Sequence, residues 1–470
     1  MGAGAQIAGS ATPRPPGAGL LALVAVLARL AVAGPPAARA AGFSLVDQGG
    51  RGIGTAYAGE AAGAEDASVI AFNPAGMTRL AGTEMVLVGH AIDLRVHYED
   101  DGSTLDPAVG GGRLGGARDT DAGERGGTPA AFLVHQLSER WRVGLGVMVP
   151  FGFRTDYDPD WVGRYHAIES DLKMVEVSPT VAVQLPRNLS LGAALDVQYA
   201  HTRLTSALDT GSLCELNLQR LGAPPGTCGI LGLRPEGADG FVRLRATDWA
   251  LGWQAGVLWE PAPDTRVGLS YRSHVRHELE GTAEFILPPK AEILRRTGAL
   301  RDTDARTELP LPEVVRLAAY HRLARRWALL AGIAWTRWSR FDDLVVSFAN
   351  AAQPPVVQPE RWTDSFRYAL GVEYGPLGRW KLRAGTAYDE TPVPSAVRRT
   401  PRIPDSDRVW LALGAGYQAG DGVRFDFGYA HLFGLPSTTR NPEPVTGHVL
   451  RGDVTGAADI LGLQLTWRLR

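Results

Sequence analysis

The side chains best suited to chemistry are scattered along this sequence and form no recognisable catalytic motif. Asp156, Asp158 and Asp160 alternate like the ligands of a calcium loop, but the glycine and the closing glutamate of such a loop are missing. His166 and His201 have no companion at a fixed spacing, and no Gly-x-Ser-x-Gly elbow, His-Glu-x-x-His pair or phosphate-binding glycine loop occurs. The sequence therefore predicts no catalytic residues, no metal site and no cofactor.

The first forty residues have the features of an export signal. Arg14 supplies a positive charge, residues 20–30 form an apolar core, and Ala38 and Ala40 place small side chains where a signal peptidase reads the chain. A retained membrane helix is the alternative, but the apolar run is shorter than the ~20 residues that such a helix needs. We expect a cleaved signal peptide over residues 1–40.

The two cysteines, Cys214 and Cys228, lie in a stretch rich in glycine and proline. Because an exported protein occupies an oxidising compartment, we expect them to form a disulfide, with two free thiols as the alternative. Closing a loop of about fifteen residues would stabilise the fold by ~3 kcal/mol in the chain-entropy model. Zinc binding is disfavoured because neither a third cysteine nor a histidine stands at ligand spacing.

The composition excludes two broad classes of protein. The 470-residue chain carries a formal net charge of −2, so it lacks the basic surplus of a nucleic-acid-binding protein. Its hydrophobic content of 45 % is too high for a disordered chain. Apart from the leader, the sequence has no continuous apolar run long enough for a transmembrane helix.

After residue 82 the hydrophobic pattern has a period of two. In residues 461–469, for example, leucine and tryptophan alternate with glycine, glutamine, threonine and arginine. The alternating segments exceed the ~5–6 residues of a typical soluble strand, and tryptophan and tyrosine lie near their ends, as in the aromatic girdles of membrane barrels. The opposite face is polar and suits a wet lumen. We therefore predict an all-β fold, a transmembrane antiparallel β-barrel of about fourteen strands over residues 83–470.

The links between these segments alternate in length. Short links near residues 186–188, 261–264 and 419–422 predict tight periplasmic turns, and long links predict external loops at 99–127, 208–240, 287–306, 350–360 and 434–454. The predicted strands begin near Glu84, Thr128, Trp141, Asp171, Leu189, Phe241, Thr265, Thr307, Trp327, Trp362, Arg379, Asp407, Gly422 and Thr455.

Residues 41–82 do not alternate, and their many glycines and alanines favour short helices in a confined space. Asp66 is placed to cap one such helix, and Pro74 disfavours helical geometry at Asn73. A secreted linker is the alternative, but linkers seldom carry residues such as Phe43 and Tyr57. We expect a small N-terminal helical hatch, or plug, inside the barrel lumen.

At this point the motifs resemble those of a known family. GFSLVDQGGRGIGTAYAGEAA, FNPAGM, VGRYHAIESDLK, TRVGLSYRSHVRHELEG, RYALGVEY, YDETPVP, RIPDSDRVWLALGAGY and DFGYAHLF follow one another as in the FadL/TodX family of outer-membrane transporters for long-chain fatty acids and other hydrophobic compounds. The resemblance covers nearly all of the mature chain. It implies a fourteen-stranded barrel of the bacterial outer membrane whose N-terminal hatch fills the lumen.

The resemblance also implies roles for individual residues. The family's Asn-Pro-Ala motif falls on Asn73, Pro74 and Ala75, and its N-terminal Gly-Phe, whose ring approaches the ligand, falls on Gly42 and Phe43. The family's third strand has an inward kink that opens the wall laterally. Here Pro150 and Gly152 stand at that place, where proline cannot donate to the ladder and glycine weakens it. An ordinary strand end after Val149 is the alternative.

The expected function is passive uptake of a long-chain fatty acid or similar hydrophobic molecule, gated by the hatch and released laterally into the membrane. Inward-facing arginines would meet the carboxylate, or would simply pair with lumen acids such as Asp364, Asp407 and Asp426; they are Arg367, Arg383, Arg408 and Arg424. We expect a monomer that contacts outer-membrane lipid or detergent and no nucleic acid. The alternatives are an aromatic-hydrocarbon transporter of the same fold, an outer-membrane barrel hydrolase, and an open porin, which would need no hatch.

Overall fold

The chain forms a closed antiparallel barrel, as the alternating pattern predicts. The computed structural model describes residues 42–469, and the predicted signal peptide lies outside this range. Twenty-one strand segments join in one sheet and make up fourteen wall strands, because seven strands are interrupted once. The first strand pairs with the second and with the last, which closes the sheet into a cylinder.

The strands are as follows: β1 Thr83–Asp100, β2 Asp119–Asp121 and Arg125–Gln136, β3 Trp141–Met148 and Gly152–Asp156, β4 Glu169–Leu185, β5 Leu189–Asp209, β6 Asp239–Ala262, β7 Thr265–Arg272 and Val275–Ile286, β8 Thr303–Leu311 and Val314–Ala324, β9 Trp327–Thr336 and Asp343–Phe348, β10 Val356–Pro359 and Ser365–Leu377, β11 Trp380–Asp389, β12 Arg408–Gln418, β13 Val423–Gly434 and Ser437–Pro442, and β14 Val449–Leu469.

The helices are few and short. The α-helices are α1 Gly50–Ile53, α2 Glu60–Gly63, α3 Thr210–Arg220 and α4 Thr227–Ile230. The 3-10 helices are Ala67–Ala71, Pro74–Arg79, Pro107–Val109, Pro289–Thr297 and Trp338–Arg340. Asp66 caps the first of these by accepting a hydrogen bond from the Ser68 backbone N–H, as predicted. Within residues 42–469 no helix has the length and apolar character needed to cross a bilayer.

The two ends of the barrel differ in their connections. At one end, called here the turn end, the strands are joined by the tight links 137–140, 186–188, 263–264, 325–326, 378–379 and 419–422. At the other, the loop end, the connections are mostly longer, and residues 210–238 fold into α3 and α4. This asymmetry agrees with the predicted split between periplasmic turns and external loops.

The outer face of the wall is apolar. Leu461, Leu463 and Trp467 of β14 are 50 %, 50 % and 45 % exposed, whereas the intervening Gln464 and Thr466 point into the barrel and are buried. Leucine, tryptophan and tyrosine are exposed in the same way on most of the other strands. Since an exposed apolar face of this extent is unfavourable in water, the surface indicates a lipid environment.

Residues 42–80, called here the N-terminal segment, lie inside the barrel. Helix α1 packs on β12–β14, α2 packs on β7–β9, and the 3-10 helix Pro74–Arg79 packs on β3–β6. The 3-10 helix Ala67–Ala71 packs on β1–β3. Thr55 packs against Gly371 of β10 and Gly385 of β11, the two remaining strands. The segment thus touches all fourteen strands, and nearly all of its residues are buried.

The glycines of the inner face have a different role from the one that the sequence suggests. The polar inner face predicts a water-filled lumen, but the N-terminal segment fills the lumen beside these glycines. Wall glycines sit where a Cβ would overlap the segment, at Gly192, Gly256, Gly268, Gly371, Gly385, Gly414, Gly428 and Gly462. Glycine in a strand permits this close approach of backbone to backbone, which any larger side chain would prevent.

We expect Gly256→Ala to loosen the N-terminal segment without opening the barrel. The added Cβ would overlap the Asn73 side chain, and such overpacking lowers the free energy of unfolding by about 1–3 kcal/mol. Protease cleavage within residues 42–80 should become faster, while unheated protein still migrates as a compact barrel in detergent gels. Gly89→Ala is the matched control, because a Cβ there has no neighbour within 4 Å. Equal cleavage rates for the two variants would contradict this expectation.

Candidate ligand-binding site

The wall is interrupted in β3, at the position that Pro150 and Gly152 predict. The ladder between β2 and β3 ends at the pair Ala131 and Val147, and β3 resumes only at Gly152, paired with β4 alone. Residues 149–151 therefore have no wall neighbour on the β2 side. Because backbone groups in a membrane wall need partners, something other than β2 must satisfy them here.

The start of the N-terminal segment supplies these partners. Ser44 lies opposite Phe151 in an antiparallel bridge, in which Leu45 N donates to Pro150 O (2.8 Å) and Gly152 N donates to Phe43 O (3.0 Å). The Gln48 side-chain amide adds a bond to the Val149 carbonyl (2.7 Å). Three residues of the N-terminal segment thus act as a short extra strand that closes the break.

The Phe43 ring is fully buried in a cage of five aromatic rings. Phe151 and Phe153 of β3 lie on one side, with ring centroids 6.1 and 5.9 Å away. On the other side are rings from the interruptions of β9 and β10: Trp338 at 4.8 Å, Phe341 at 5.8 Å and Trp362 at 5.8 Å. The cage spans the bore from β3 to the strands opposite, so a movement of Phe43 would disturb both sides.

Gly42 is fitted tightly into the same cage. Its backbone N–H donates to the Asp405 carboxylate (3.0 Å), and its φ of +67° lies in the left-handed region that favours glycine. An added Cβ would stand 2.6 Å from the Trp362 ring and 2.8 Å from the Trp338 ring. The Gly42-Phe43 pair is therefore constrained on its backbone and on its side chain.

The Asn73-Pro74-Ala75 motif ties the N-terminal segment to the wall. The Asn73 amide donates to the carbonyls of Ala61 (2.7 Å) and Val257 of β6 (2.9 Å), and its oxygen accepts from Ala75 N (3.1 Å). Pro74 occupies the first turn of the 3-10 helix, where its missing N–H leaves no donor unpaired. The motif therefore fixes the segment to β6.

A buried ionic network fastens the N-terminal segment near the turn end. Arg51 lies 3.1 Å from Glu373 of β10 and also contacts Glu60, Glu65 and Asp66 of its own segment. This network, called here the Arg51 cluster, comprises Arg51, Glu60, Glu65, Asp66, Glu373, Lys381, Arg383, Arg424 and Asp426. It places five acids beside four cations and links the segment to β10, β11 and β13.

Two of the four arginines proposed to meet a ligand carboxylate belong to this cluster. Arg383 binds Glu373 (3.0 Å) and Asp426 (2.8 Å), and Arg424 binds Asp66 (2.6 Å) and Asp426 (2.7 Å). Both guanidinium groups are thus occupied by acids of the protein, as the alternative interpretation anticipated for Asp426.

The other two arginines lie outside the Arg51 cluster, nearer the loop end of the barrel. Arg367 donates to the Ala56 carbonyl (2.9 Å), and its guanidinium stands 5.0 Å from the Trp410 ring. Arg408 is 3.3 Å from Asp405, the residue that receives the Gly42 N–H. The structure therefore separates the four arginines into two places, and their role towards a ligand stays a prediction.

A pocket, called here the outer pocket, opens among the loops at the loop end. Its lining includes nine leucine, valine and phenylalanine side chains from β5, β6, β7, β9 and β10, among them Phe285 and Phe348, together with the acids Asp209 and Glu443. Arg402, from the connection 390–407, also faces this pocket, and its Nη1 donates only to neutral oxygens, Ser170 Oγ (3.1 Å) and the Thr205 carbonyl (3.4 Å). Burial lowers the pKa of Arg402 to about 10, against the opposing influence of Glu360 and Glu443. The pocket thus combines apolar side chains with one arginine that has no carboxylate of residues 42–469 within ion-pair distance.

The two cysteines lie next to a residue of the pocket lining, Leu213. Cys214 of α3 and Cys228 of α4 form a disulfide with their Cα atoms 6.0 Å apart. Glu215 accepts hydrogen bonds from the Gly226 and Cys228 backbone N–H groups (both 3.0 Å), which fixes α4 against α3. Leu213, beside this linkage, contributes to the pocket lining.

Comparison with known proteins agrees with this architecture. The family model described as "Outer membrane protein transport protein (OMPP1/FadL/TodX)" matches residues 31–469. The chain belongs to this family. Members of the family are outer-membrane transport proteins rather than enzymes, and the chain is accordingly an outer-membrane transporter of hydrophobic compounds.

Relatives and solved structures cover most of the chain. A long-chain fatty acid transport protein of Escherichia coli O6:H1 is 28 % identical over 407 residues, which are 84 % of this chain and 87 % of the relative. Outer membrane protein P1 of Haemophilus influenzae is 29 % identical over 420 residues, with the same two coverages.

Among solved structures, a Pseudomonas aeruginosa FadL homologue superposes with a TM-score of 0.82 at 26 % identity and covers 92 % of this chain and 100 % of its own. The Pseudomonas putida toluene transporter TodX has the same fold, with a TM-score of 0.64 at 18 % identity over 86 % of this chain and 94 % of its own.

Sequence reasoning did not single out three residues that shape this site. Trp338 and Trp362 are two of the five rings of the Phe43 cage, and Arg402 is the cation of the outer pocket. For the tryptophans a signal existed, since each stands where the alternating pattern of a strand breaks off and both are almost completely buried. For Arg402 no local signal distinguishes it from Arg398 or Arg399 in the same connection.

Proposed function

We propose that the protein takes up long-chain fatty acids by passive diffusion that is gated by its N-terminal segment. The ligand enters the outer pocket, moves to the Phe43 cage, and leaves sideways through the break in β3 into the membrane. Lateral release keeps the apolar chain out of water, where each exposed CH₂ is unfavourable by about 0.8 kcal/mol.

One observation carries this proposal. Where β2 stops pairing with β3, residues 43–45 of the N-terminal segment take the place of β2 and close the wall. The closure rests on two backbone hydrogen bonds and one from the Gln48 amide. Such a contact can open without disturbing the wall, because β3 remains paired with β4 on its other side.

The distribution of contacts supports opening at the break rather than at the turn end. The Arg51 cluster and the close packing on wall glycines fasten the segment near the turn end, where separating buried ion pairs leaves uncompensated charges. At the break the segment is held by a few hydrogen bonds and by aromatic contacts that a bound acyl chain can replace. Movement of residues 42–48 is therefore easier than movement of the whole plug.

Arg402 favours a fatty acid over a neutral hydrocarbon. Its guanidinium faces an apolar pocket and makes no ion pair with a carboxylate within 4 Å among residues 42–469. Glu360 and Glu443 act on it only from beyond this distance, so a carboxylate head could add a charge-assisted hydrogen bond that neither acid makes. The toluene transporters of the same fold suggest the alternative ligand class, which needs no such cation.

The same proposal assigns the parts of the chain. Residues 1–40 are the cleaved signal peptide, 41–82 the plug, and 83–470 the monomeric barrel that contacts outer-membrane lipid. The residues assigned to ligand contact and to the plug are Gly42, Phe43 and the Asn73-Pro74-Ala75 motif. The lateral gate is assigned to Pro150 and Gly152. Arg367 and Arg408, near Gly42, remain candidates for a later carboxylate contact.

We expect Arg402→Gln to reduce fatty-acid uptake at least tenfold. A hydrogen bond to a charged group contributes about 1.5–3 kcal/mol, which corresponds to a tenfold or larger change in binding. Uptake of a radiolabelled C18 fatty acid should be measured at limiting concentration in cells that lack their own transporter. Arg398→Gln is the matched control, since Arg398 lies in the same connection and donates to the Pro359 carbonyl (3.2 Å).

A second ligand class distinguishes the two transporter hypotheses. Uptake of a neutral monoaromatic hydrocarbon should be the same in the Arg402→Gln variant and in the unchanged protein. If the monoaromatic enters quickly and the fatty acid does not enter at all, the aromatic-hydrocarbon alternative replaces the fatty-acid proposal.

A further inference from the structure

Arg316 is an inward-facing arginine for which the described part of the chain provides no acidic partner. It lies in the second segment of β8, opposite Ser270 of β7 and Ala334 of β9, just past the interruption of β8. Its Nη1 is buried without a hydrogen-bond partner, and no carboxylate in residues 42–469 approaches it to ion-pair distance. The neighbouring Arg272, by contrast, is 2.6 Å from Glu176.

Two cavities meet at this side chain. One is a small cavity beside the break in β3, lined by Leu45, Pro150 and Phe151 as well as by Arg316. The other, also small, follows the seam between α2 and strands β8–β10. Val46, Phe72 and Arg316 line both. Arg316 therefore stands at the junction between the lateral gate and the seam.

The local charge balance leaves room for an anion. The charged groups that act most strongly on Arg316 are the cations Arg272 and Arg367 and the acids Glu176 and Asp196. Glu176 and Asp196 both lie within 4 Å of Arg272, and Glu60, which lines the second cavity, is bound by Arg51. The acids near Arg316 are thus already engaged by other cations. Because an unpaired buried charge is unfavourable, a ligand carboxylate beside Arg316 would stabilise this region.

We propose that Arg316 is a second carboxylate-binding site, inside the barrel and next to the lateral gate. The ligand it selects is an anionic amphiphile with a carboxylate head, whose apolar chain lies along Leu45, Val46 and Phe151 towards the break. The site holds the head back while the chain leaves through the wall, so the head group crosses last. This inference rests on the proposed function and assigns it an interior step that Arg402, at the loop end, cannot perform.

The test compares a fatty acid with its methyl ester on purified, barrel-folded protein kept in amphipol. The probe is a C18 acid brominated on its chain, which quenches tryptophan fluorescence near Trp338 and Trp362 when it binds. All variants carry Arg402→Gln, so that the outer pocket does not contribute to acid-specific binding. Arg316→Gln should weaken binding of the acid at least tenfold and leave binding of the ester unchanged, and Arg316→Lys should restore part of the loss.

The control variant is Arg322→Gln, on the same strand, whose side chain is 52 % exposed and pairs with Asp264. It should bind the acid as the Arg402→Gln parent does. Equal affinities for acid and ester in that parent, or an acid affinity that Arg316→Gln leaves unchanged, would overturn this inference and leave the proposed function standing. Unsubstituted protein that binds neither acid nor ester would overturn both.

Discussion

A disulfide between residues 44 and 151 is expected to stop uptake completely and reversibly. Ser44 and Phe151 face each other in the bridge that closes the break in β3. The two backbone bonds run between their neighbours, so the pair is of the non-hydrogen-bonded kind, with Cα atoms about 4.5 Å apart. This separation falls within the range that disulfides require. The substitutions Ser44→Cys and Phe151→Cys therefore place two thiols where they can bond.

Under oxidising conditions the bonded strand cannot leave the break, and fatty-acid uptake should fall to the level of cells without the protein. A reductant should restore uptake to that of the Phe151→Cys single variant, which already lacks one ring of the Phe43 cage. The unchanged protein must be assayed with the same reductant, because its own Cys214–Cys228 disulfide is also exposed to it. If the oxidised double variant transports as fast as the reduced one, the ligand does not leave through this break.

The sequence predicts the wall well because the wall depends on a local pattern. The predicted starts at Trp141, Leu189, Thr265 and Trp327 coincide with the observed first residues of β3, β5, β7 and β9. Each of these four strands follows a tight turn, and its alternating pattern begins directly after the turn residues. At the loop end the prediction is less accurate, as for β14, which begins at Val449 rather than Thr455. There the strands continue above the apolar band, and polar residues on both faces hide the alternation.

The site is less predictable because its contacts join distant parts of the chain. Pro150 and Gly152 mark a weak point in β3, but nothing local indicates that Ser44 would pair with Phe151 across 107 positions of sequence. Likewise, glycines such as Gly256 and Gly414 alternate as lumen residues would, and only the packed N-terminal segment shows why they lack side chains. For the arginines, residue type and facing are predictable, whereas the choice between ligand and protein acid depends on neighbours from other strands.

Removing Arg51 is expected to free the plug and turn the transporter into a leaky pore. Among residues 42–469, Arg51 is the single cation that contacts Glu60, Glu65, Asp66 and Glu373 together, and it is almost completely buried. Arg51→Met keeps much of the side-chain volume but leaves these carboxylates without that partner. Breaking a buried ion pair in this way destabilises by about 3–5 kcal/mol, and the loss falls on the attachment of the N-terminal segment, since the wall ladder of β10, β11 and β13 does not depend on Arg51.

The readout is ion conductance of single barrels in planar bilayers, which should be low for the unchanged protein and high for Arg51→Met at pH 8. The defect should shrink at pH 5.5. Burial raises the pKa of Glu60 to about 7 while Arg51 lowers it, so without Arg51 the pKa rises further and Glu60 is neutral in acid. Arg79→Met is the control, because Arg79 is in the same segment but pairs with Glu260 at a partly exposed position. Low conductance of Arg51→Met at both pH values would show that wall glycines and Asn73 hold the plug without the ionic network.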